Sequence, residues 1–572
     1  MQEQFLLASY QGMVDRALAE AAAKLYAARI WSRNSSLWKQ DPQHRKIIEN
    51  SLGWLTVAED MKPKTSEIGA FVETVREKGF TTACLLGMGG SSLCPEVCAA
   101  TFGTKPGYLR LIVLDTTDPA SILSAEESTD LPHTLFLVSS KSGGTIESAS
   151  LHKYFYEKLR EVKGNKAGEN FNAITDPGTS LERLAHEQGF LRVFLNPKDI
   201  GGRYSALSYF GLVPMALIGL DLNQILERAL LVAQACRNEI PAGNPGLRLG
   251  ITLGALARQG RDKITFHLAP EISAFGYWVE QLIAESTGKE GVGILPVEGE
   301  ALEDPSLYCS DRVFVHVGIE GKEERAAEAQ LLALEKAGHP VLRWVIRDKL
   351  DIGGEFFLWE FATAAAGAVL GINAFDQPNV QESKDNTQRL IREYQATGRL
   401  SEGEPIAREG ALSLYCDFEL NPRTSNVGTA ASPGRLREEL SAFLNLAVPG
   451  DYCALMAYIR REPATTSLLD CIRRRIREKL RAATTLGYGP RFLHSTGQLH
   501  KGGANNGIFI QITADNARDV PIPGESYSFG TLKEAQASGD LQSLVQHGRR
   551  AVRLHISGDL HAGLNQIYEA VM

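Results

Sequence analysis

The stretch TLFLVSSKSGGTIESAS, residues 134–150, decides the fold. Its first half is an unbroken apolar run of strand length, and its second half opens a helix after a turn of small polar residues. A fully buried strand that feeds directly into a helix is the repeating unit of a parallel sheet with helices on both faces. Between the two stand Ser140, Lys141, Ser142, Gly143, Gly144 and Thr145. Three hydroxyls and several free backbone N–H groups converge there on a helix start, which suits a phosphate dianion held without a metal. A helix cap explains one of these hydroxyls but not all of them.

The same alternation extends outward on both sides. TTACLL (81–86) runs into GMGGSSL and a helix, and LRLIVLD (109–115) and FNAIT (171–175) are further buried-strand candidates. PAGNPG (241–246) looks like a linker. Beyond it DKITFHL (262–268), DRVFVHVGI (311–319) and VLRWVI (341–346) repeat the pattern, with FFLWEFATAAAGAVLGI (356–372) as an apolar helix. The expected class is α/β, with two doubly wound parallel-sheet domains and ligands at the carboxyl ends of the strands. The expected division is an N-terminal helical segment at 1–62, domains at 63–240 and 241–400, and a C-terminal α/β region at 401–572. That last region carries a small, polar TSNVGTAASPG loop at 424–434. YCALMAYI, a basic helix through CIRRRIREKLRAATT (471–485), IFIQIT and VRLHIS follow it.

A chain of 572 residues is too long for one hydrophobic core. Its 44% hydrophobic and 22% charged residues are those of a globular protein. A net charge of −8 speaks against a general attraction to nucleic acid or anionic membrane. The first thirty or so residues predict an amphipathic helix rather than a secretory leader, and no apolar stretch reaches bilayer length. The eight cysteines are scattered, with only Cys94 and Cys98 at i, i+4 and no zinc spacing. Buried or neutral thiols in a cytoplasmic protein are expected. The run Arg473, Arg474, Arg475 and Arg477, interleaved with Ile472, Ile476 and Leu480, predicts the wet face of a helix rather than a nucleic-acid site.

GMGGSSL begins like a dinucleotide fingerprint, with Gly87 and Gly89, and Asp115 ends the next strand as a ribose-binding acid would. Ser92 stands where the third glycine belongs, and the Gly90-Ser91 pair is foreign to that motif. No nicotinamide cofactor is expected.

Five segments in one order carry a family resemblance: GMGGSSL, SSKSGGTIES, IGGRYSALSYFGL, AESTGKEGVGILPV and GINAFDQPNV followed by Lys384. Together these resemble the glucose-6-phosphate isomerase family, which is built from two sugar-isomerase (SIS) domains. With the late LHSTGQLHKGG segment they are most similar to the isomerase half of bacterial bifunctional transaldolase/glucose-6-phosphate isomerases. No transaldolase barrel is expected, since the isomerase-like part begins at residue 1. The resemblance implies interconversion of glucose 6-phosphate and fructose 6-phosphate, with no cofactor and no metal. It makes Glu285 the catalytic base, Arg203 with Gly202 the pair beside the reacting carbons, and His494 the ring-opening residue. Gln377 and Lys384 would border the sugar, Ser140, Lys141, Ser142 and Thr145 would hold the phosphate, and Gly90 and Ser91 would line the first loop.

The chemistry asks for these residue types. Moving a carbonyl between C1 and C2 needs one carboxylate that takes a proton from one carbon and returns it to the other. A guanidinium suits the enediolate charge, and an imidazole suits ring opening near neutral pH. Two departures stand out: Asn379 replaces a glycine usual in the family, and the histidine segment follows Lys384 instead of preceding it. The family commonly forms dimers whose histidine enters the neighbouring subunit's site. The altered order allows a homodimer or a monomer, with His500 as an alternative to His494. A non-catalytic phosphosugar-binding SIS protein, or an isomerase of a related sugar phosphate, are the competing expectations.

Overall fold

Three sheets organise the chain, one all parallel and two mostly parallel with antiparallel edge strands, and the parallel strands of each follow the same order. The computed structural model describes residues 3–322, 324–400, 403–418, 420 and 434–571. In the first sheet Thr82–Gly87 leads outward to Arg110–Leu114, then the chain returns to pair Thr134–Ser139 on the opposite side, followed by Phe171–Thr175 and Arg192–Leu195. In the second, Lys263–Leu268 leads out to Leu295–Val297 and back to Arg312–Ile319 and Val341–Ile346. In the third, Tyr452–Tyr458 leads out to Ala483–Tyr488 and back to Gly507–Ala514 and Arg550–Ile556. The α/β class with two doubly wound sheets and a further α/β region therefore holds, and the C-terminal region repeats their winding. In each sheet the crossovers change direction beside the first strand, so its carboxyl end borders a crevice where ligands sit.

The first two sheets share one core. Helix Ile352–Leu370 is buried from Ile352 to Ala368, because helices Leu222–Ala235 and Pro245–Ala257 cover it. A side chain at Gly250 would meet the Ala362 carbonyl oxygen at 2.1 Å, so only glycine allows that approach. The C-terminal sheet has its own core, but Tyr452, Met456 and Phe492 pack with Leu295 and Val297 of the second sheet. Phe529 and Leu532 enter the core of the first sheet. The third sheet is thus docked on both of the others.

Several expectations change. The N-terminal segment first forms strand Gln4–Leu6, antiparallel to Val341–Ile346, and its helix begins at Gln11. PAGNPG is not an open linker. Asn244 is buried and accepts from Leu247 N at 2.9 Å, capping a helix that starts at Pro245; an Asn cap followed by Pro is a helix-start signal, worth about 1 kcal/mol. The basic helix ends at Leu480, and Ala483–Tyr488 is a strand. Its arginines do not all face water. Arg473 and Arg477 lie one turn apart and are buried, where Arg473 donates to Thr484 O at 3.0 Å and Arg477 pairs with Glu303 at 2.7 Å. Of the loop expected at 424–434, residues 424–433 lie outside those described. Among the described residues no helix is long and apolar enough to cross a membrane. The cysteines are free and mostly buried, although Cys471 is exposed.

Candidate functional site

The turn after Thr134–Ser139 is fixed from below. Ser140 N donates to Ile174 O at 3.0 Å, and Asp176 N donates to Lys141 O at 3.2 Å. Gly143 adopts φ +69°, and a side chain there would meet Thr179 at 2.7 Å. Thr145 precedes helix Ile146–Lys163 but makes no cap bond; its hydroxyl lies 2.9 Å from the Ser140 hydroxyl. No cap from Thr145 takes the first-turn N–H groups, which lie at the positive end of the helix where an anion is favoured. Lys141 points away: its ammonium binds Asp176 and donates to Lys198 O at 2.9 Å.

The neighbouring glycine loop serves close approach. Gly89 has φ +54°, and a Cβ there would lie 2.8 Å from His494 O and 2.9 Å from Gln281 Nε2. A Cβ at Gly90 would stand 2.1 Å from Gly202 O. The loop thus brings Gly90 and Ser91 against Gly202–Arg203 and the His494 backbone. Asp115 is occupied by Ser92 Oγ at 3.0 Å and Arg491 at 3.3 Å.

Glu285 lies in the last turn of helix Phe275–Thr287, buried. Arg203 Nη1 is 3.4 Å from its Oε1, and Gln281, one turn earlier, donates to its Oε2 at 3.0 Å. The same Gln281 amide nitrogen donates to His494 O at 2.6 Å. Arg203 is itself spread over Ser286 Oγ (2.7 Å), Gln377 Oε1 (3.1 Å), Ala374 O (2.8 Å) and Asp376 O (3.0 Å). Lys289 also grips the Asp376 carbonyl and lies 2.8 Å from its carboxylate. Burial, reinforced by the Arg203 guanidinium, pushes Lys289 down to about 7 against the pull of Asp376.

His494 arrives on the turn that follows the outward strand Ala483–Tyr488 of the third sheet. Its Nε2 lies 3.1 Å from Oε1 of Glu147, in the first turn of the phosphate-loop helix. Burial alone would raise the Glu147 carboxyl, but His494, and Lys384 beyond it, hold it below its usual value. Lys384, on helix Pro378–Thr397, lines a pocket with Gly144, Glu147 and His494. His500 belongs to the core instead. It is buried against Tyr452, whose hydroxyl is 2.9 Å from Nδ1, and burial pushes its imidazole down to about 3. Asn379 N donates to Gln498 Oε1 at 3.0 Å, and Gln498 Nε2 donates to Asn379 Oδ1 at 2.8 Å. The residue that departs from the family pattern therefore clamps the displaced histidine segment.

Close approaches and hydrogen bonds link Gly90, Gly202, Arg203, Glu285 and Gln377, with Gln281 joining Glu285 to His494; Lys384 lines a pocket with Glu147 and His494, Ser140 and Thr145 meet at the helix start, and the Lys141 ammonium turns to Asp176. Sequence reasoning missed Glu147, which stood inside the quoted SSKSGGTIES. It missed Gln281, four residues before Glu285 on the same helix face, and Gln536, which no motif marks. A cleft of about 750 Å³ between residues 299–303 and helix Pro463–Leu480 contains none of these groups. Among the described residues no three His, Cys, Asp or Glu side chains are grouped to hold a metal.

Comparison with known proteins points the same way. Residues 55–292 match the family model for phosphoglucose isomerase, a span that takes in both loops, Arg203 and Glu285. The glucose-6-phosphate isomerase of Methanocaldococcus jannaschii is 27% identical over 356 residues, covering 55% of this chain and 85% of that protein. The enzyme of that name from Desulfitobacterium hafniense DCB-2 is 28% identical over 382 residues, covering 59% and 72%. Among solved structures, a hypothetical protein of Thermus thermophilus superposes with a TM-score of 0.59 at 24% identity, covering 68% of this chain and 99% of that one. A Chlamydia trachomatis glucose-6-phosphate isomerase gives a TM-score of 0.50 at 21% identity, over 65% and 78%, and speaks for the fold alone. In its loops and its buried glutamate, residues 55–292 of the chain are similar to the phosphoglucose isomerase family.

Proposed function

We propose that this protein interconverts glucose 6-phosphate and fructose 6-phosphate through ring opening and an enediolate. The observation that carries this reading is the single Gln281 amide that ties Glu285 on one side to His494 on the other (3.0 and 2.6 Å), across the mouth of an anion-ready helix terminus. The phosphate sits at the start of helix Ile146–Lys163, held by Ser140, Ser142, Thr145 and backbone N–H groups, with Lys141 contributing its amide. Gly90, Ser91, Gly202 and Gln377 shape the sugar's surroundings.

For cyclic glucose 6-phosphate, His494 accepts the O1 proton as the C1–O5 bond breaks, and O5 gains a proton, with the Lys384 ammonium at hand as its donor. Glu147 accepts the Nε2 proton of His494, so Nδ1 is the nitrogen that exchanges with substrate. Glu285 then removes the C2 proton, Arg203 stabilises the charge on O1 and O2 as the hydroxyl proton passes from O2 to O1, and the same carboxyl returns its proton to C1. Every step is neutral in redox balance overall, since C1 is reduced as C2 is oxidised. No metal or nucleotide takes part. The free thiols fit a reducing cytoplasm, and the net charge of −8 fits a protein with no nucleic-acid or membrane partner.

The test is a coupled assay on fructose 6-phosphate with EDTA-treated, desalted enzyme. Formation of glucose 6-phosphate at an undiminished rate is expected. Binding without turnover would favour a sensor, and turnover only of another sugar phosphate would move the specificity.

A further inference from the structure

The carboxylate behind His494 is held by a second side chain from the C-terminal region. Gln536, on helix Phe529–Gln546, donates from Nε2 to Glu147 Oε1 at 2.7 Å, the same oxygen that faces His494 Nε2 at 3.1 Å. The Thr117 hydroxyl donates to Gln536 Oε1 at 2.7 Å. Thr117, Glu147 and Gln536 are 0%, 3% and 2% exposed, so water does not compete for these bonds.

The arrangement admits one orientation of the amide. With Oε1 taken by Thr117, the NH2 group must face Glu147; a flipped amide would set two oxygens against each other. The helix is pinned in register nearby, where Lys533 Nζ bonds Asp118 Oδ2 at 2.9 Å and Asn516 Oδ1 at 2.5 Å. A neutral donor on Glu147 does two things. It locks the carboxylate's rotation, and it draws charge from the oxygen that also receives the His494 proton. The other titratable groups packed around this pair are Lys384 in the shared pocket, Tyr458 on its strand, and Glu285 beyond Gln281.

We propose that Gln536 is a positioning residue for the ring-opening step, holding Glu147 and, through it, the His494 ring in the orientation that presents Nδ1 to the sugar. This role rests on the isomerase reading above. It is separate from the proton transfer at C1 and C2, because Gln536 makes no contact with Glu285 or Arg203 among its hydrogen bonds. Without this donor, Glu147 is free to turn and keeps more negative charge facing the His494 ring, so turnover of cyclic sugar is expected to become more sensitive to acid.

Two variants and two substrates test this. Gln536→Leu removes the donor at similar volume, and Gln536→Glu keeps the shape while adding a carboxyl group. Fructose 6-phosphate requires ring opening, whereas 5-deoxyfructose 6-phosphate lacks the hydroxyl that closes the furanose and is already open. For Gln536→Leu, kcat/KM on fructose 6-phosphate is expected to fall on the order of tenfold, a part of the ~10²–10⁴ that a positioned acid–base group contributes. Its acid limb should move to higher pH, while C1-proton exchange on the open substrate stays within about twofold. If Gln536→Leu does not fold, Gln536→Glu carries the test: its acid limb should also move up on the cyclic substrate alone. Equal losses on both substrates, or an unmoved acid limb in a folded variant, would overturn the proposal. Wild-type enzyme that fails to exchange the C1 proton of the open substrate would overturn the isomerase reading itself, and this role with it.

Discussion

Arg203 Nη1 lies 3.4 Å from Glu285 Oε1, with the two side chains only 2% and 9% exposed. The guanidinium has no freedom to follow the carboxylate, because Ser286, Gln377, Ala374 and Asp376 hold its other positions. On the isomerase reading Glu285 would meet substrate beside a fixed charge, the arrangement that electrostatic preorganisation calls for. Glu285→Gln preserves the volume and the Gln281 contact but removes the base. It should lower kcat by at least ~10² while a competitive sugar-acid phosphate still binds nearly as well. Steady-state kinetics and calorimetry on the same preparation check both halves. A fully active Glu285→Gln enzyme would defeat the isomerase assignment.

The phosphate loop makes a different prediction. Ser142 is exposed and accepts only from Gly144 N at 3.3 Å, and Thr145 makes no cap bond and meets only the Ser140 hydroxyl at 2.9 Å, so both hydroxyls keep bonding capacity for an anion. Such contacts persist from ground state to transition state, and losing them raises KM with little change in kcat. Replacing Ser142 and Thr145 together with Ala should raise KM for fructose 6-phosphate on the order of tenfold or more, at ~1 kcal/mol or above for each lost bond to a charged group. Lys141→Ala should cost less, since its ammonium is engaged by Asp176 and the Lys198 carbonyl. A larger KM effect from Lys141 than from the hydroxyl pair would place the anion elsewhere.

The sheets were legible because parallel strands are buried on both faces and appear as unbroken apolar runs, as in Thr82–Gly87 and Thr134–Ser139, every residue of which is buried. The glycine loops were legible because close approach leaves few residue choices. What stayed hidden depends on distant partners. Arg473 and Arg477 carry the pattern of a wet helix face, yet Glu298 O and Ala301 O, 175 and 176 residues away, receive their hydrogen bonds inside. Gln536 and Glu147 are separated by 389 positions, and a glutamine within a helix bears no mark of such a contact. In the sequence Asn379 is only a departure from the family pattern, and its partner, Gln498, appears once the displaced segment is docked.

His500 separates the two histidines of the late segment by their response to acid. Burial, with Lys501 and Arg549 nearby, pushes its imidazole down to about 3 from 6.5. Between those values the unfolded chain binds a proton there that the folded chain does not. Stability attributable to this site is thus fully present above about pH 6.5 and is lost as pH falls toward 3, at ~1.4 kcal/mol per pH unit. His500→Gln abolishes this one linkage. Urea unfolding at pH 7 and pH 5 should show the wild type losing ~2 kcal/mol more than the variant over that interval. The other buried histidines, His152, His316 and His339, keep both proteins acid-sensitive. Identical pH dependence in the two proteins would mean that His500 is not a sealed core group.

Complementation decides whether one chain suffices. The His494 backbone is wedged between Gly89 and Gln281, and its ring meets Glu147, all within one chain. The strand before it is the outward strand of the third sheet, which packs on the second through Phe492, Leu295 and Val297. We therefore expect one chain to complete the site. Glu285→Gln and His494→Ala each disable a different step of the same site. His494→Ala should lose most turnover of cyclic sugar yet keep C1-proton exchange on an open-chain substrate, whereas Glu285→Gln should lose both. Mixtures of the two variants, unfolded together and refolded, should then stay inactive on fructose 6-phosphate, because no chain holds Glu285 and His494 at once. If the histidine instead came from a partner, mixed dimers would contain one site with both groups intact, and up to about a quarter of wild-type activity would return by random pairing. Recovery on that scale would refute the within-chain arrangement while leaving the roles of Glu285 and His494 standing.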